Sequence, residues 1–532
     1  MKTRLQRWPA VLLAVVLLAA TAFGGGAYSA RPKLIVVIVI DQFRGDYLAR
    51  YQDQFSPAGF RLFLDRGAVF TDCNYDYAST RTAPGHATLL TGSYVNGHGI
   101  LSNIWWDPVK KRTVLAVADD SAHTVGPNGP EPGAGFSPHY LLASTLGDEL
   151  KLATGGKARV FAISLKNYAA ILSAGHAADA AYWTDRKSGA WVTSSFYRGD
   201  LPKWVAEFDH ANPPDRYLKM EWKDAGGKVL RGASKDFDAL ESTPFANDYQ
   251  LDFARALIQN EKLGEGPATD LLVISISATD ILGHEVGPDS PQAAAMALAL
   301  DRQLGDLFGF LGQQVGLANL WIALSADHGV APLPSVAAGF RLPGANFRAK
   351  DILAQANAEL SAKFSPGRPT EYIKLMEWPI AFLSEEAFAA ANVKEADAER
   401  AAGDALAKAA SWHGYVTRAQ QAQGQLRADE LGRKYAHSYS TEVGWYVIGE
   451  PTPFTIATAE ETDHSAPYSY DTHVPLAFYG LAFRPGLYRT HAEPVDLAAT
   501  LASLLGINAP THAVGRVLTE AVAPAPGSEP GP

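Results

Sequence analysis

The chain has 532 residues, 47% of them hydrophobic and 19% charged, with a formal net charge of −10. A chain of this length and composition can bury one large core or two ordinary ones, which excludes a disordered or fibrous protein. The acidic balance and the lack of a basic run argue against a nucleic-acid polymer or another polyanion as the partner.

The first 30 residues have the layout of a secretory signal peptide. Lys2, Arg4 and Arg7 precede an apolar segment at 9–23, and small residues follow up to Ala30. The apolar segment is short for a membrane span, and the next residues lead straight into a predicted core strand, although a retained anchor is the alternative. We therefore predict cleavage near Ala30, no stable membrane span, and a periplasmic or secreted mature protein.

Removal of this leader would change the formal charge from −10 to −13, because its three charged residues are all basic. Cys73 is the only cysteine, so no intrachain disulfide can form even in an exported protein. The stability of the fold must then come from its core and from bound metal. A small anionic substrate would need local positive charge, which divalent ions would supply.

Strand-like runs at 33–40, 158–164, 270–277 and 319–325 alternate with helical patterns such as 249–261 and 292–311. This alternation predicts an α/β fold with a mostly parallel central sheet and helices on both faces. A further strand is predicted at 474–479, followed by a helix at 494–505.

The pattern between 346 and 450 is different, because alanine-rich, charged helical stretches replace the β-branched apolar runs. We interpret this segment as an inserted cap subdomain. The catalytic domain would then comprise residues 31–345 and 451–520. The Pro- and Gly-rich residues 521–532 are predicted to be a flexible tail.

Candidate metal ligands follow three of the predicted strands. Asp41 follows the first strand, Asp280 follows the strand at 270–277, and the pair Asp327 and His328 follows the strand at 319–325. In open α/β sheets, ligands bind beyond the carboxyl ends of the strands. A helix cap is the simpler alternative for Asp41 and Asp327, and their joint occurrence with the other candidates is what favours a metal site.

Two histidines extend this set. His284 lies four positions after Asp280, which places both side chains on one face of a helical turn, where they can share one ion. His473 precedes the strand at 474–479, and Asp471 beside it could support it as a hydrogen-bond partner. Taken alone, His473 would be an ordinary core histidine. Oxygen and nitrogen ligands without thiolates suit catalytic zinc, although manganese or iron can be held by similar groups.

Thr82 is the candidate nucleophile. Pro84 can start a helix, so Thr82 would stand at the positive end of a helix dipole, and bound metal would lower the pKa of its hydroxyl further. The alternative is an ordinary N-cap. Asn103 and Lys166 are candidate donors to the nonbridging oxygens of a bound anion, although an exposed lysine after a strand is often only a solvated charge.

In combination and in order, these motifs resemble the threonine-nucleophile alkaline phosphatases of the phosphate-irrepressible type. These enzymes belong to the alkaline phosphatase superfamily, which also contains nucleotide pyrophosphatase/phosphodiesterases. The likeness covers residues 34–518. It rests on Ile40-Asp41-Gln42, on 82–86, on His98-Gly99-Ile100 with Asn103, on 164–166, on Asp280 with His284, on 327–329 and on 470–475.

The resemblance implies an alkaline-phosphatase-like fold and a zinc-dependent enzyme that hydrolyses small phosphate monoesters through a phosphothreonine intermediate. It implies two zinc ions per chain. Asp280, His284 and His473 would hold the first. Asp41, Asp327 and His328 would hold the second, with Thr82 as its reactive ligand. Asn103 and Lys166 would bind the phosphoryl oxygens.

The sequence departs from this family at Tyr168, where monoesterases of this type carry an arginine. Loss of a guanidinium removes a bidentate contact to the dianionic phosphoryl group, so phosphodiesterase or nucleotide pyrophosphatase-like activity is an alternative. A periplasmic phosphate-ester binding protein with degraded catalysis is another. Arg44 and Arg81 are candidates to compensate. A sulfatase is disfavoured, because Thr82 stands where sulfatases need a cysteine or serine.

Overall fold

The structure, a computed structural model, describes residues 31–130, 135–410 and 412–524. The predicted signal peptide and residues 525–532 of the predicted tail lie outside the described residues. Within the described ranges no helix is both long and apolar enough to cross a membrane.

The described strands are short apart from those at the centre of the molecule. They are β1 Leu34–Ile40, β2 Ala68–Phe70, β3 Ile104–Asp107, β4 Arg112–Leu115, β5 Ala118–Asp119, β6 Thr124–Gly126, β7 Gly129–Pro130, β8 Gly135–Phe136, β9 Val160–Ser164, β10 Ala180–Thr184, β11 Trp191–Ser194, β12 Trp222–Lys223, β13 Val229–Arg231, β14 Asp270–Ile276, β15 Leu320–Ser325, β16 Ile373–Glu377, β17 Ile380–Leu383, β18 Gly414–Thr417, β19 Tyr446–Glu450, β20 Leu476–Tyr479 and β21 Gly486–Tyr488.

The described α-helices range from single turns to six turns. They are α1 Tyr47–Arg50, α2 Arg61–Arg66, α3 Thr82–Thr91, α4 Val95–His98, α5 Leu146–Ala153, α6 Asn167–Ala174, α7 Lys203–Ala211, α8 Asp215–Leu218, α9 Phe237–Glu241, α10 Pro244–Asn260, α11 Ala278–Val286, α12 Pro291–Gln314, α13 Pro334–Gly339, α14 Ala349–Phe364, α15 Glu385–Ala390, α16 Glu395–Ala410, α17 Arg418–Ala422, α18 Glu430–His437, α19 Ser469–Thr472 and α20 Asp496–Leu505.

An 11-stranded sheet in the order β21-β2-β20-β15-β1-β14-β9-β10-β11-β6-β7 forms the centre of the fold. Its five middle strands, from β15 to β10, are parallel to one another. The strand predicted at 474–479 is β20, which pairs antiparallel with β15. The predicted α/β fold with a mostly parallel central sheet is confirmed.

The first strand lies in the middle of this sheet because of its composition. Every residue of β1 is apolar and buried, and six of its seven residues are Val or Ile. A strand that is covered by helices on both faces shows such a continuous apolar run instead of an alternating one. The helices predicted at 249–261 and 292–311 correspond to α10 and α12, and each of these helices begins with a proline.

Residues 346–450, which we call the cap, contain a second sheet in the order β16-β17-β19-β18. Sequence reasoning expected helices here and missed these four short strands. β17 alternates, because Ile380 and Phe382 pack in the main core while Ala381 and Leu383 pack in a smaller core of the cap. The cap sheet is therefore covered on both faces, and the division of the chain into a catalytic domain and an inserted subdomain stays a prediction.

The registers of the parallel strands determine which loops meet. Ile40 pairs with Ile276, Val39 with Ser325, and Ser275 with Ser164. The strands β1, β14, β15 and β9 therefore end at one edge of the sheet. The residues that follow them are brought together at that edge.

Candidate metal centre and active site

Two overlapping groups of metal-ligating side chains lie at this edge. Asp280, His284 and His464 offer ligand atoms that all lie within 4.8 Å of one another, and so do Asp41, Asp280 and His328. We call them the first and the second ligand group. All of these side chains are buried except that of His284, which is half-buried. Asp280 belongs to both groups, so the two possible ion positions are adjacent.

The second group extends to Asp327 and Thr82. The Nε2 atom of His328 lies 3.4 Å from Asp41 Oδ1, 3.6 Å from Asp327 Oδ2 and 3.4 Å from the hydroxyl of Thr82. The structure therefore brings together the four side chains that the resemblance assigns to the second zinc.

The three histidines of the two groups are oriented alike. The Nδ1 atoms of His284, His328 and His464 lie 2.9, 2.9 and 2.7 Å from the backbone carbonyls of Thr462, Gly329 and Thr80. A carbonyl can only accept, so each Nδ1 carries a hydrogen and each Nε2 faces the carboxylates. Histidines that ligate metals are held in this way.

Two carboxylate oxygens in the centre have no hydrogen-bond partner among the described residues. They are Oδ1 of Asp41 and Oδ2 of Asp327, and both are fully buried. A buried carboxylate oxygen without a partner is costly unless a cation lies next to it. The arrangement of donors therefore fits divalent metal ions.

Burial and neighbouring charge also shift the pKa values of the side chains in the second ligand group. Burial, reinforced by the charge of Asp280, raises the pKa of Asp41 to about 6. Burial and the charge of Asp41 raise the pKa of Asp327 well above its ordinary value. Burial lowers the pKa of His328 to about 3, so its imidazole is neutral and can donate a lone pair. Crowded carboxylates beside neutral imidazoles are the donors that a bound cation would stabilise.

Lys166 supplies the positive charge nearest to both groups. Its ammonium donates to Asp41 Oδ2 and to Asp280 Oδ2, each at 2.6 Å. Burial disfavours the charged ammonium, but the charges of Asp280 and Asp41 raise the pKa of Lys166 well above its ordinary value. Lys166 is thus not a solvated surface charge.

Thr82 begins α3, and the preceding residue, Arg81, is the N-cap. The side chain of the N-cap residue makes no capping hydrogen bond, and Thr82 is already the first helical residue, so the interpretation of Thr82 as an ordinary N-cap is wrong. Oδ1 of Asn103 accepts from the backbone N–H of Ala83 at 2.8 Å, which leaves the amide hydrogens of Asn103 available. A Cβ atom at Gly85 would lie 2.4 Å from the carbonyl oxygen of Asp327, so glycine permits the close approach of α3 to the end of β15.

Gln42 connects the two ligand groups. Its backbone has a left-handed φ of 60°, its N–H donates to Asp327 Oδ1 at 3.1 Å, and its side-chain amide donates to Asp280 Oδ1 at 2.8 Å. Strained backbone that is held by such contacts is common at functional sites. Gln42 thus orients one carboxylate of each group.

Tyr168 lies near the start of α6, two residues after Lys166. Burial raises the pKa of its phenol to about 12, and the charges of Lys166, Asp41 and Asp280 also act on it. The ring therefore lies beside the centre. The two arginines considered as substitutes have other partners, since Arg44 pairs with Asp46 at 2.9 Å and Arg81 bonds to the carbonyl of Trp378.

His473 does not belong to either ligand group. Its Nε2 atom lies 3.1 Å from the carbonyl oxygen of Thr71, and its ring packs against Gly45, where a Cβ atom would lie 2.7 Å from it. The backbone around His473 forms a bridge to Asn74 beside the central sheet. The structure thus corrects the predicted first ligand set, because His464 stands where His473 was expected.

Sequence reasoning missed His464 because no strand-like run precedes it. One signal was present, since Asp463 and His464 repeat the acid–histidine pair of Asp327 and His328. Asp471, predicted to support His473, instead accepts from the backbone N–H of Ala466 at 2.8 Å. It therefore stabilises the loop that carries His464.

Comparisons with known proteins show relatives that match most of the chain. The family model for type I phosphodiesterase / nucleotide pyrophosphatase matches residues 35–440. A calcium-transporting ATPase of Myroides odoratus is 33% identical over 92% of this chain and 95% of its own. Alkaline phosphatase PafA of Elizabethkingia meningoseptica is 31% identical over 92% of this chain and 95% of its own. The crystal structure of alkaline phosphatase PafA superimposes with a TM-score of 0.83 and 30% identity, covering 93% of this chain and 100% of that one.

Proposed function

Because this chain belongs to the type I phosphodiesterase / nucleotide pyrophosphatase family, we propose that it is an alkaline phosphatase that hydrolyses phosphate monoesters through a phosphothreonine intermediate. One observation carries the proposal: the hydroxyl of Thr82 stands at the start of α3, 3.4 Å from His328 and beside two ligand groups. The likeness to alkaline phosphatase PafA over most of both chains supports a monoester as the substrate.

The cofactor in this proposal is two zinc ions per chain. Asp280, His284 and His464 would hold one, and Asp41, Asp327 and His328 would hold the other together with Thr82. Bound ions would supply the positive charge that lowers the pKa of the threonine hydroxyl and stabilises the leaving oxygen. The unpartnered oxygens of Asp41 and Asp327 and the common orientation of the histidines support this assignment.

The chain's own residues account for the remaining chemistry. Oγ of Thr82 gives its proton to solvent and attacks phosphorus in line; the bond from phosphorus to the leaving oxygen breaks, and that oxygen takes a proton from water to depart as the alcohol. Water then opens the phosphothreonine and releases inorganic phosphate, so two displacements retain the configuration at phosphorus. The free amide of Asn103 and the ammonium of Lys166 would donate to the phosphoryl oxygens, once Asp41 and Asp280 bind cations instead of Lys166.

Metal analysis of the purified mature protein, combined with a 4-nitrophenyl phosphate assay, tests the proposal. We expect two zinc ions per chain and turnover that is lost on chelation and restored by zinc. Two bound zinc ions without hydrolysis of monoesters or diesters would instead favour a binding protein.

Tyr168→Arg is expected to raise kcat/KM for 4-nitrophenyl phosphate by about 10- to 100-fold, because a charge-assisted bidentate contact is worth about 1.5 to 3 kcal/mol. Activity on bis(4-nitrophenyl) phosphate should stay flat or fall, since a diester carries one negative charge fewer. The measurement is kcat/KM for both substrates. Tyr168→Phe, which adds no charge, is the control.

Equal gains for both esters in Tyr168→Arg would mean that position 168 does not face the phosphoryl group. No selective gain at all would mean that another residue already provides the contact, and Arg44 or Arg81 could do so only by leaving its present partner.

We also propose export to the periplasm or the medium, on the basis of the leader-like residues 1–30. N-terminal sequencing of the protein from its native host should give a mature chain that starts close to Arg31. Recovery of the intact chain from Met1 in the cytoplasm would contradict export.

A further inference from the structure

The cap contacts Arg81, the residue that precedes the proposed nucleophile. This arginine directly precedes Thr82, and it is buried. Its guanidinium bonds to the carbonyl of Trp378 and lies 3.6 Å from a carboxylate oxygen of Glu377. Both partners belong to the cap, at the turn that joins β16 to β17. The first residue before α3 is therefore bound to the tip of a cap hairpin.

Glu377 is the part of this contact that remains open to solvent. Its side chain is 23% exposed, whereas that of Arg81 is 6% exposed. The guanidinium of Arg81 also donates to the carbonyl of Trp378. Its Nε atom has no partner among the described residues. Glu377 thus presents a partly exposed carboxylate beside the residue that precedes the nucleophile, and the guanidinium of Arg81 balances part of its charge.

The negative charge of Glu377 interacts with two side chains that adjoin the centre, Tyr168 and Asp463. The negative charge of Glu377 helps to keep the pKa of the Tyr168 phenol high, after the larger effects of burial and of the nearer charges. Burial raises the pKa of Glu377 itself, and the charge of Asp463 acts in the same direction. Tyr168 follows Lys166, and Asp463 precedes His464. Since Glu377 lies 3.6 Å from the guanidinium of Arg81, which directly precedes Thr82, its carboxylate lies close enough to the centre to act on charged groups there.

We propose that Glu377 is a specificity-determining residue that disfavours phosphate esters whose leaving group carries further negative charge and favours neutral or cationic leaving groups. The inference rests on the proposed phosphatase function and narrows its substrate class. Two unit negative charges about 12 Å apart, at an effective dielectric constant near 20, repel by about 1.4 kcal/mol, which is enough to lower kcat/KM about tenfold.

The test compares three substrates that differ in the charge of the leaving group: the anhydride pyrophosphate, with an anionic one, and the monoesters 4-nitrophenyl phosphate, with a neutral one, and 2-aminoethyl phosphate, with a cationic one. Glu377→Gln keeps the size of the side chain and leaves the charge of Arg81 unbalanced. We expect kcat/KM to rise about tenfold for pyrophosphate, to fall several-fold for 2-aminoethyl phosphate, and to change little for 4-nitrophenyl phosphate. The shifts should shrink in 1 M salt, because screening acts on charge effects at a partly exposed site.

Glu371→Gln is the matched control, since Glu371 lies in the same cap segment with a side chain that is 75% exposed, and it should leave all three values unchanged. Equal changes for all three substrates in Glu377→Gln, or no change, would overturn the proposal. A wild-type protein that fails to hydrolyse 4-nitrophenyl phosphate would instead contradict the proposed function. In that case the Kd values of pyrophosphate and 2-aminoethyl phosphate, measured calorimetrically on zinc-loaded protein, test Glu377 in the same way: Glu377→Gln must tighten the first and weaken the second.

Discussion

Thr82→Ala is expected to lower kcat for 4-nitrophenyl phosphate by about three orders of magnitude or more, which is the size of loss seen when a nucleophile is removed. The reason is positional as well as chemical. The hydroxyl lies at the first residue of α3 and 3.4 Å from His328 Nε2, so the substitution removes the oxygen that stands beside both ligand groups. The carboxylates and imidazoles of both ligand groups remain, and two zinc ions should still bind.

Thr82→Ser is the control for this variant. It retains a hydroxyl at the same helix position and should keep turnover within about tenfold of the parent enzyme, with a phosphoserine trapped at low pH in place of phosphothreonine. Turnover of Thr82→Ala within a few-fold of the parent enzyme would remove Thr82 from the mechanism.

The second large effect distinguishes His464 from His473 as the zinc ligand. His464→Ala should reduce the zinc content from two ions to one and lower kcat/KM by at least about 100-fold, since loss even of an outer partner of a ligand costs 10- to 100-fold. Its Nε2 atom faces Asp280 at 3.9 Å, while Nδ1 is held by the carbonyl of Thr80. Zinc content by mass spectrometry and kcat/KM on the same preparations are the measurements.

His473→Ala provides the comparison. The ring of His473 bonds to the carbonyl of Thr71 outside both ligand groups, so both zinc content and kcat/KM should stay within a few-fold of the parent values. Loss of one zinc ion from His473→Ala with His464→Ala unaffected would restore the ligand set that the resemblance implied and contradict the one that the structure supports.

Sequence patterns anticipated the core because its signals are local. Each residue of β1 is apolar, and Asp41 follows directly, so both the buried strand and the polar group at its end can be recognised without knowledge of neighbours. The spacing of Asp280 and His284 likewise predicted one helical face, and both lie on α11. The short strands of the cap carry no comparable signal, since each has four or five residues and lies among alanine-rich helices.

The sequence by itself determined the α/β fold and the chemical nature of the site, because each long apolar strand is followed directly in the sequence by the polar residues of the site. Only the tertiary structure decided between His464 and His473. Both lie within one stretch before β20, and the choice depends on where a loop folds relative to Asp280, 184 residues earlier than His464 in the chain. The same holds for Arg81 and Glu377, whose contact forms because the cap hairpin packs beside α3 and not because of any pattern near either residue.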